Sequence, residues 1–114
     1  MKDELKKNAY LDTSFINKEK NSIRGNLKCG DNVTIDINSI FEGNNVIGNN
    51  VEIKANCILK NCKIGNSTII RPYTSIEGTV IGMNCTIGPY ANLRNKSVIN
   101  DNVSIGNYVE IKKS

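Results

Sequence analysis

The sequence predicts an all-β fold: a parallel β-helix of hexapeptide repeats, about five triangular coils long, behind a short N-terminal helical or linker stub. Three observations carry that prediction. A large apolar residue returns at every sixth position, a small residue stands two places before it, and glycine or asparagine falls in the steps between. A helix repeats near 3.6 residues and a strand at 2, so a six-residue period suits neither element alone.

Counting in both directions from Ile47, the large inward positions are Ile23, Cys29, Ile35, Phe41, Ile47, Ile53 and Leu59. One deletion moves the series to Ile64, Ile70 and Ile76. A second moves it to Ile81, Ile87, Leu93, Ile99, Ile105 and Ile111. Two residues earlier stand Val33, Ser39, Val51, Cys57, Cys62, Thr68, Thr74, Thr79, Cys85, Ala91, Ser97, Val103 and Val109, with Asn45 as a polar exception. Residues two apart on an extended segment share a face, so each hexad reads as a very short strand with one small and one large inward side chain.

The corners follow from turn chemistry. Glycine comes directly after the large residue at Gly30, Gly48, Gly65, Gly82, Gly88 and Gly106. Asparagine stands three after it at Asn26, Asn32, Asn38, Asn44, Asn50, Asn56, Asn84 and Asn102. These residues tolerate left-handed backbone angles at least cost. Three corners close a triangle, and successive triangles stack as parallel strands about 4.8 Å apart. Residues 23–114 form the β-helix in this reading and residues 1–22 the stub, with a charged helix in "DELKKNAYL" and a connector in "DTSFINKEKNS".

Composition narrows the function. No run approaches the ~20 apolar residues of a membrane-spanning helix. The N-terminus is too charged for a secretory signal, which points to the cytoplasm. A net charge of +4 spread over scattered lysines, with 5% aromatic residues, gives no nucleic-acid groove. The spacing of Cys29, Cys57, Cys62 and Cys85 fits no zinc pattern, and the chain has no histidine. All four cysteines fall on inward positions, where a thiol is a small apolar filler. The missing histidines also exclude a γ-class carbonic anhydrase, and the mixed charges of the walls exclude the regular threonine rows of an ice-binding helix.

Sorted by wall, one face carries Arg24, Glu42, Lys60, Glu77, Arg94 and Lys112 on successive coils. The sign alternates until the last rung, where Arg94 and Lys112 bring two cations together. An anion held between them fits this break, since Arg with Lys suits phosphate. A solvated face relaxed by Glu77 and Glu110 fits it too. A second wall carries Gly30, Gly48, Gly65, Gly82 and Asn100, which reads as turn geometry or as a smooth contact surface. Ile40 with Ile58, and Val80 with Val98, are outward apolar pairs suited to subunit contacts.

The segments "IRPYTSIEG", "CTIGPYANLRN" and "NVSIGNYVEIKKS" resemble the acetyltransferase domain of the bifunctional N-acetylglucosamine-1-phosphate uridyltransferase/glucosamine-1-phosphate N-acetyltransferase family, over residues 23–114. The resemblance implies a left-handed coil, a homotrimer, and acetyl transfer from acetyl-CoA to glucosamine-1-phosphate on the route to UDP-N-acetylglucosamine, peptidoglycan and lipopolysaccharide. It assigns substrate binding to Arg94 and Lys112, with Glu110 at the sugar. It implies no catalytic residue and no resident cofactor within this chain. Acetyl-CoA is a co-substrate, and magnesium belongs with the uridyltransferase domain, whose Gly-rich motif is not in this sequence. The family's catalytic histidine is expected beyond Ser114. Where the family has Arg-Pro-Gly, this chain has Arg94-Asn95-Lys96.

Two functions follow as expectations. The chain is either part of that enzyme, holding scaffold and sugar-phosphate groups and completed by a chain with the later coils, or a non-enzymatic trimeric β-helix.

Overall fold

The computed structural model describes residues 13–15, 21–94, 96–107 and 110–112, and the side chains of 21–94 and 96–107. The charged helix expected within "DELKKNAYL", Asn95, and Val109, which is expected to point inward, lie outside the described residues. Every regular element among the described residues is a strand, and every pairing is parallel.

One wall is a sheet of six strands. In spatial order these are β1 (Thr13–Phe15), β3 (Val33–Ile35), β5 (Glu52–Ile53), β8 (Ile69–Ile70), β11 (Thr86–Ile87) and β14 (Ser104–Ile105). The other two walls join into one nine-stranded sheet. β2 (Ser22–Cys29) and β4 (Ile40–Ile47) run unbroken around the corner between them. The first half of β4 pairs with β6 (Ile58–Lys60) and its second half with β7 (Lys63–Ile64). From there β9 (Ser75–Glu77), β12 (Asn92–Arg94) and β15 (Glu110–Lys112) extend the first of these walls. β10 (Val80–Ile81) and β13 (Val98–Ile99) extend the second.

The predicted inward series is the core. Phe41, Ile53, Leu59, Ile70, Ile76, Ile87 and Leu93 are buried, as are Val33, Val51, Cys57, Cys62, Thr68 and Cys85 of the small series. Ile23, Cys29 and Val103 are partly buried against it. Each coil's backbone bonds to the next: Gly30 N–H donates to Ile47 O at 2.9 Å, Gly48 to Ile64 O at 2.8 Å and Gly65 to Ile81 O at 2.8 Å.

The corners are left-handed where asparagine predicted them at Asn32, Asn38, Asn50, Asn56, Asn84 and Asn102, with φ between 57° and 62°. Asn26 and Asn44 differ, because both stay inside the long strands. The bend there is taken one residue earlier, at Gly25 (φ 137°) and Gly43 (φ 71°). The two asparagines form a ladder instead: Asn26 Nδ2 donates to Asn44 Oδ1 at 2.8 Å, and Asn44 N–H to Asn61 Oδ1 at 2.9 Å.

The sheet also reaches further back than the repeat. Phe15 pairs with Ile35, within the segment expected to be a connector. Counting back by six from Ile23 lands on the polar Asn17. The strand sits two residues earlier, outside the hexad count.

Candidate functional site

The site is built on the outer face of β9, β12 and β15. In β12 the pleat turns Leu93 fully inward and leaves Asn92 and Arg94 half-buried. The register sets Asn92 beside Ser75 and Leu93 beside Ile76 on the rung before. On the rung after, Asn92 lies opposite Glu110 and Arg94 opposite Lys112. The three residues that the sequence singles out thus occupy two adjacent rungs of one wall, about 4.8 Å apart.

The alternating charges of the earlier coils are also register neighbours, Arg24 with Glu42 and Lys60 with Glu77. A close ion pair among the described side chains lies on another wall, where Lys54 Nζ meets Glu52 Oε1 at 2.8 Å. Both of its side chains are more than 40% exposed, so it contributes only a few tenths of a kcal/mol. Opposite charges therefore stand side by side on successive coils of this face.

The corner leading into this wall carries a feature the sequence reading missed. Tyr73 and Tyr90 stack with ring centroids 5.2 Å apart and planes within 2°. Both hold positive φ, 61° and 59°, at a position where earlier coils place Asn38 and Asn56. The signal was in the spacing: tyrosine returns at the same hexad position at residues 73, 90 and 108.

The glycine row has a structural role. A Cβ on Gly30 or Gly48 would collide with Asn49 Oδ1 or Asn66 Oδ1 of the next coil. Those oxygens accept from the Asp31 N–H at 2.8 Å and the Asn49 N–H at 2.7 Å. The empty side-chain positions make room for an amide-to-carboxamide ladder, so close packing of coil on coil, rather than a turn's positive φ, accounts for the row. Val80 and Val98 are in register and exposed at 44% and 67%, and Ile58 at 41%, as the sequence reading of outward apolar pairs expects.

The cysteines supply no chemistry here. The Cys57 thiol donates to Arg71 O at 3.2 Å and the Cys62 thiol to Ile76 O at 3.1 Å. Desolvation by burial pushes Cys57 up to about 11 from an ordinary value of 9.0, and raises Cys62 as well. A thiol pKa raised in the folded state leaves stability intact below the ordinary value and lowers it as pH climbs from there towards the raised one. Folding stability should therefore fall by about 1.4 kcal/mol per pH unit for Cys57 between pH 9.0 and about 11. Urea melts of Cys57→Ala should show a correspondingly shallower fall over that window. An identical slope would place the alkaline loss elsewhere. Among the described residues no three His, Cys, Asp or Glu side chains cluster to hold a metal, and no helix is long and apolar enough to cross a membrane.

A three-walled parallel β-helix built from six-residue repeats is a fold also seen in solved acyltransferases. A variant of AntD, an N-acyltransferase from Bacillus cereus in complex with dTDP-4-amino-4,6-dideoxyglucose and Coenzyme A, superposes with a TM-score of 0.83 at 21% identity, over 100% of this chain and 79% of that one. The acetyltransferase domain of PglB from Neisseria gonorrhoeae gives 0.52 at 16% identity, over 83% and 51%. These likenesses show the fold. The chain belongs to the GMPPB C-terminal domain family, whose model matches residues 23–114. It is similar to the bifunctional protein GlmU of Chromobacterium violaceum, at 51% identity over 92 residues, and to that of Herminiimonas arsenicoxydans, at 48% over 92 residues. Each match covers 81% of this chain and 20% of the relative, so the chain spans about a fifth of the length of these proteins.

Proposed function

We propose that this chain is the sugar-phosphate-binding part of a glucosamine-1-phosphate N-acetyltransferase domain, working in the cytoplasm with acetyl-CoA as co-substrate. In this reading residues 23–114 are the β-helix unit and residues 1–22 the stub. The observation that carries the proposal is the register that sets Arg94 opposite Lys112 on one wall. Two cations at that spacing repel each other by somewhat under 1 kcal/mol in water, and a phosphate between them reverses the sign. Arg94 offers a fork of donors to two phosphate oxygens, and Lys112 adds a point charge. Glu110 stands one pleat along from Lys112, where a carboxylate would meet the sugar's amine or hydroxyls.

Acetyl transfer also needs a base with a pKa near 7 within reach of the amine. With no histidine in the 114 residues, that group comes from elsewhere, from further coils or a complementing chain. Homotrimeric association through exposed pairs such as Val80 and Val98 would set sites between subunits. UDP-sugar binding on the same wall follows from the same phosphate chemistry.

Calorimetric titration with glucosamine-1-phosphate tests the reading. Arg94→Ala should weaken affinity at least about tenfold, the value of one charged hydrogen bond. Equal affinity for wild type and variant would remove the site.

A second reading is a non-enzymatic trimeric β-helix, which the exposed, in-register Val80 and Val98 also suit. The two separate on adding a chain that carries histidine-bearing coils and following thiol release from acetyl-CoA. The enzyme reading expects turnover dependent on the mixture. The structural reading expects a stable oligomer and no release.

A further inference from the structure

The asparagines of this prism fall mainly into two groups. Asn32, Asn38, Asn50, Asn56, Asn84 and Asn102 turn corners with positive φ. A second group bonds to the neighbouring coil through the carboxamide, Asn45, Asn49 and Asn66 among them. Asn92 belongs to neither. It is the first residue of β12, in an extended element where asparagine is disfavoured, and it is half-buried. Among the described residues its carboxamide has no hydrogen-bond partner.

Its position gives the uncommitted group a use. Asn92 and Arg94 lie on the same face of β12, about 6.6 Å apart along the strand. Glu110 is opposite Asn92, just as Lys112 is opposite Arg94. The face is therefore a two-by-two arrangement, with a cationic pair at one end and a carboxamide beside a carboxylate position at the other. The stacked Tyr73 and Tyr90 stand at the corner from which the chain enters β12 at Asn92. That layout matches a sugar phosphate lying along the strand, with its phosphate at the cations and its ring over Asn92.

We infer that Asn92 is the specificity-determining residue of this site, hydrogen-bonding a ring hydroxyl of the sugar whose phosphate Arg94 and Lys112 hold. The inference rests on the proposed sugar-phosphate site and extends it. A carboxamide donates and accepts at once, as a hydroxyl does, so the pair satisfies both partners. Inorganic phosphate has no ring to reach Asn92, and a site built to bond a hydroxyl discriminates against ligands that lack one.

Calorimetry on wild type, Asn92→Ala and Arg94→Ala, with glucosamine-1-phosphate and with inorganic phosphate, separates the two claims. Thermal melts confirm that each variant is folded. Wild type should prefer the sugar phosphate. Asn92→Ala should lose about tenfold in affinity for it and keep its affinity for inorganic phosphate. Arg94→Ala should weaken both ligands. If Asn92→Ala binds the sugar phosphate as wild type does while Arg94→Ala does not, the role of Asn92 is wrong and the site stands. If neither variant changes binding, or wild type binds no sugar phosphate at millimolar concentration, both fall.

Discussion

Gly65→Ala should destabilise the protein by about 3 kcal/mol, while Gly106→Ala changes stability by less than about 0.5 kcal/mol. Neither glycine has the positive φ that would strain an alanine, so the difference is steric. A Cβ on Gly65 would sit 2.5 Å from the carbonyl carbon and oxygen of Gly82 and 2.8 Å from the Met83 nitrogen. These are backbone atoms held in the ladder, since Gly65 N–H bonds Ile81 O and Gly82 N–H bonds Ile99 O, both at 2.8 Å. Nothing can give way without parting two coils. Gly106, at the same hexad position on another wall, has nothing within 4 Å of its would-be Cβ among the described residues. Because each coil touches only its neighbours, the break should be felt across the Gly65–Gly82 step and the coils beyond it. Urea unfolding of both variants, followed by far-ultraviolet circular dichroism, checks the pair. Equal midpoints would show that the coils are not packed rung upon rung at this wall.

Asn45→Leu should cost a similar amount, about 3 kcal/mol, although it puts an apolar residue of the same branching at an inward position. Asn45 is 2% exposed. Its Nδ2 donates to Glu42 O at 3.0 Å and to Leu59 O at 3.4 Å, and its Oδ1 accepts from the Cys62 N–H at 3.0 Å. The reason for this polar plug is the deletion between Leu59 and Ile64. Six residues separate Phe41 from Ile47, but only five separate Leu59 from Ile64, so the two corners cannot match group for group. The carboxamide bridges the mismatch. Leucine would leave the Cys62 N–H buried without its acceptor, at a cost of ~1–3 kcal/mol, and would take a donor from the Leu59 and Glu42 carbonyls, although Glu42 O keeps the Asn61 N–H at 3.1 Å. Thermal melts compare Asn45→Leu with Leu59→Ala, whose loss is a cavity of about 2–5 kcal/mol. A stabilised Asn45→Leu would mean that the corner closes without the plug.

The hexad period made most of this fold legible, because one small and one large inward side chain per six residues suit neither a helix nor a continuous strand. Leu59, Ile76 and Leu93 lie where counting puts them, and the register from Phe41 to Ile111 follows. What counting missed lies where the count changes. Phe15 was invisible because its strand is two residues out of phase with Ile23. Asn45 read as an exception because its purpose depends on a deletion one coil away. Asn26 and Asn44 were given corners that Gly25 and Gly43 take, since a glycine one step earlier bends the strand without ending it. The candidate site divides similarly. Arg94 and Lys112 follow from an eighteen-residue separation on one wall. Tyr73 against Tyr90 was legible in the tyrosine spacing but went unread, while the carboxamide of Asn92, without a hydrogen-bond partner among the described residues, needed side chains in space.

The account turns on Arg94 and Lys112 gripping one anion, and a double-mutant cycle on glucosamine-1-phosphate affinity measures that directly. Arg94→Ala, Lys112→Ala and the double variant should show non-additive losses, with a coupling of about 1 kcal/mol or more, because the two groups share one phosphate. Losses that add to within about 0.3–0.5 kcal/mol, the behaviour of independent sites, would contradict it.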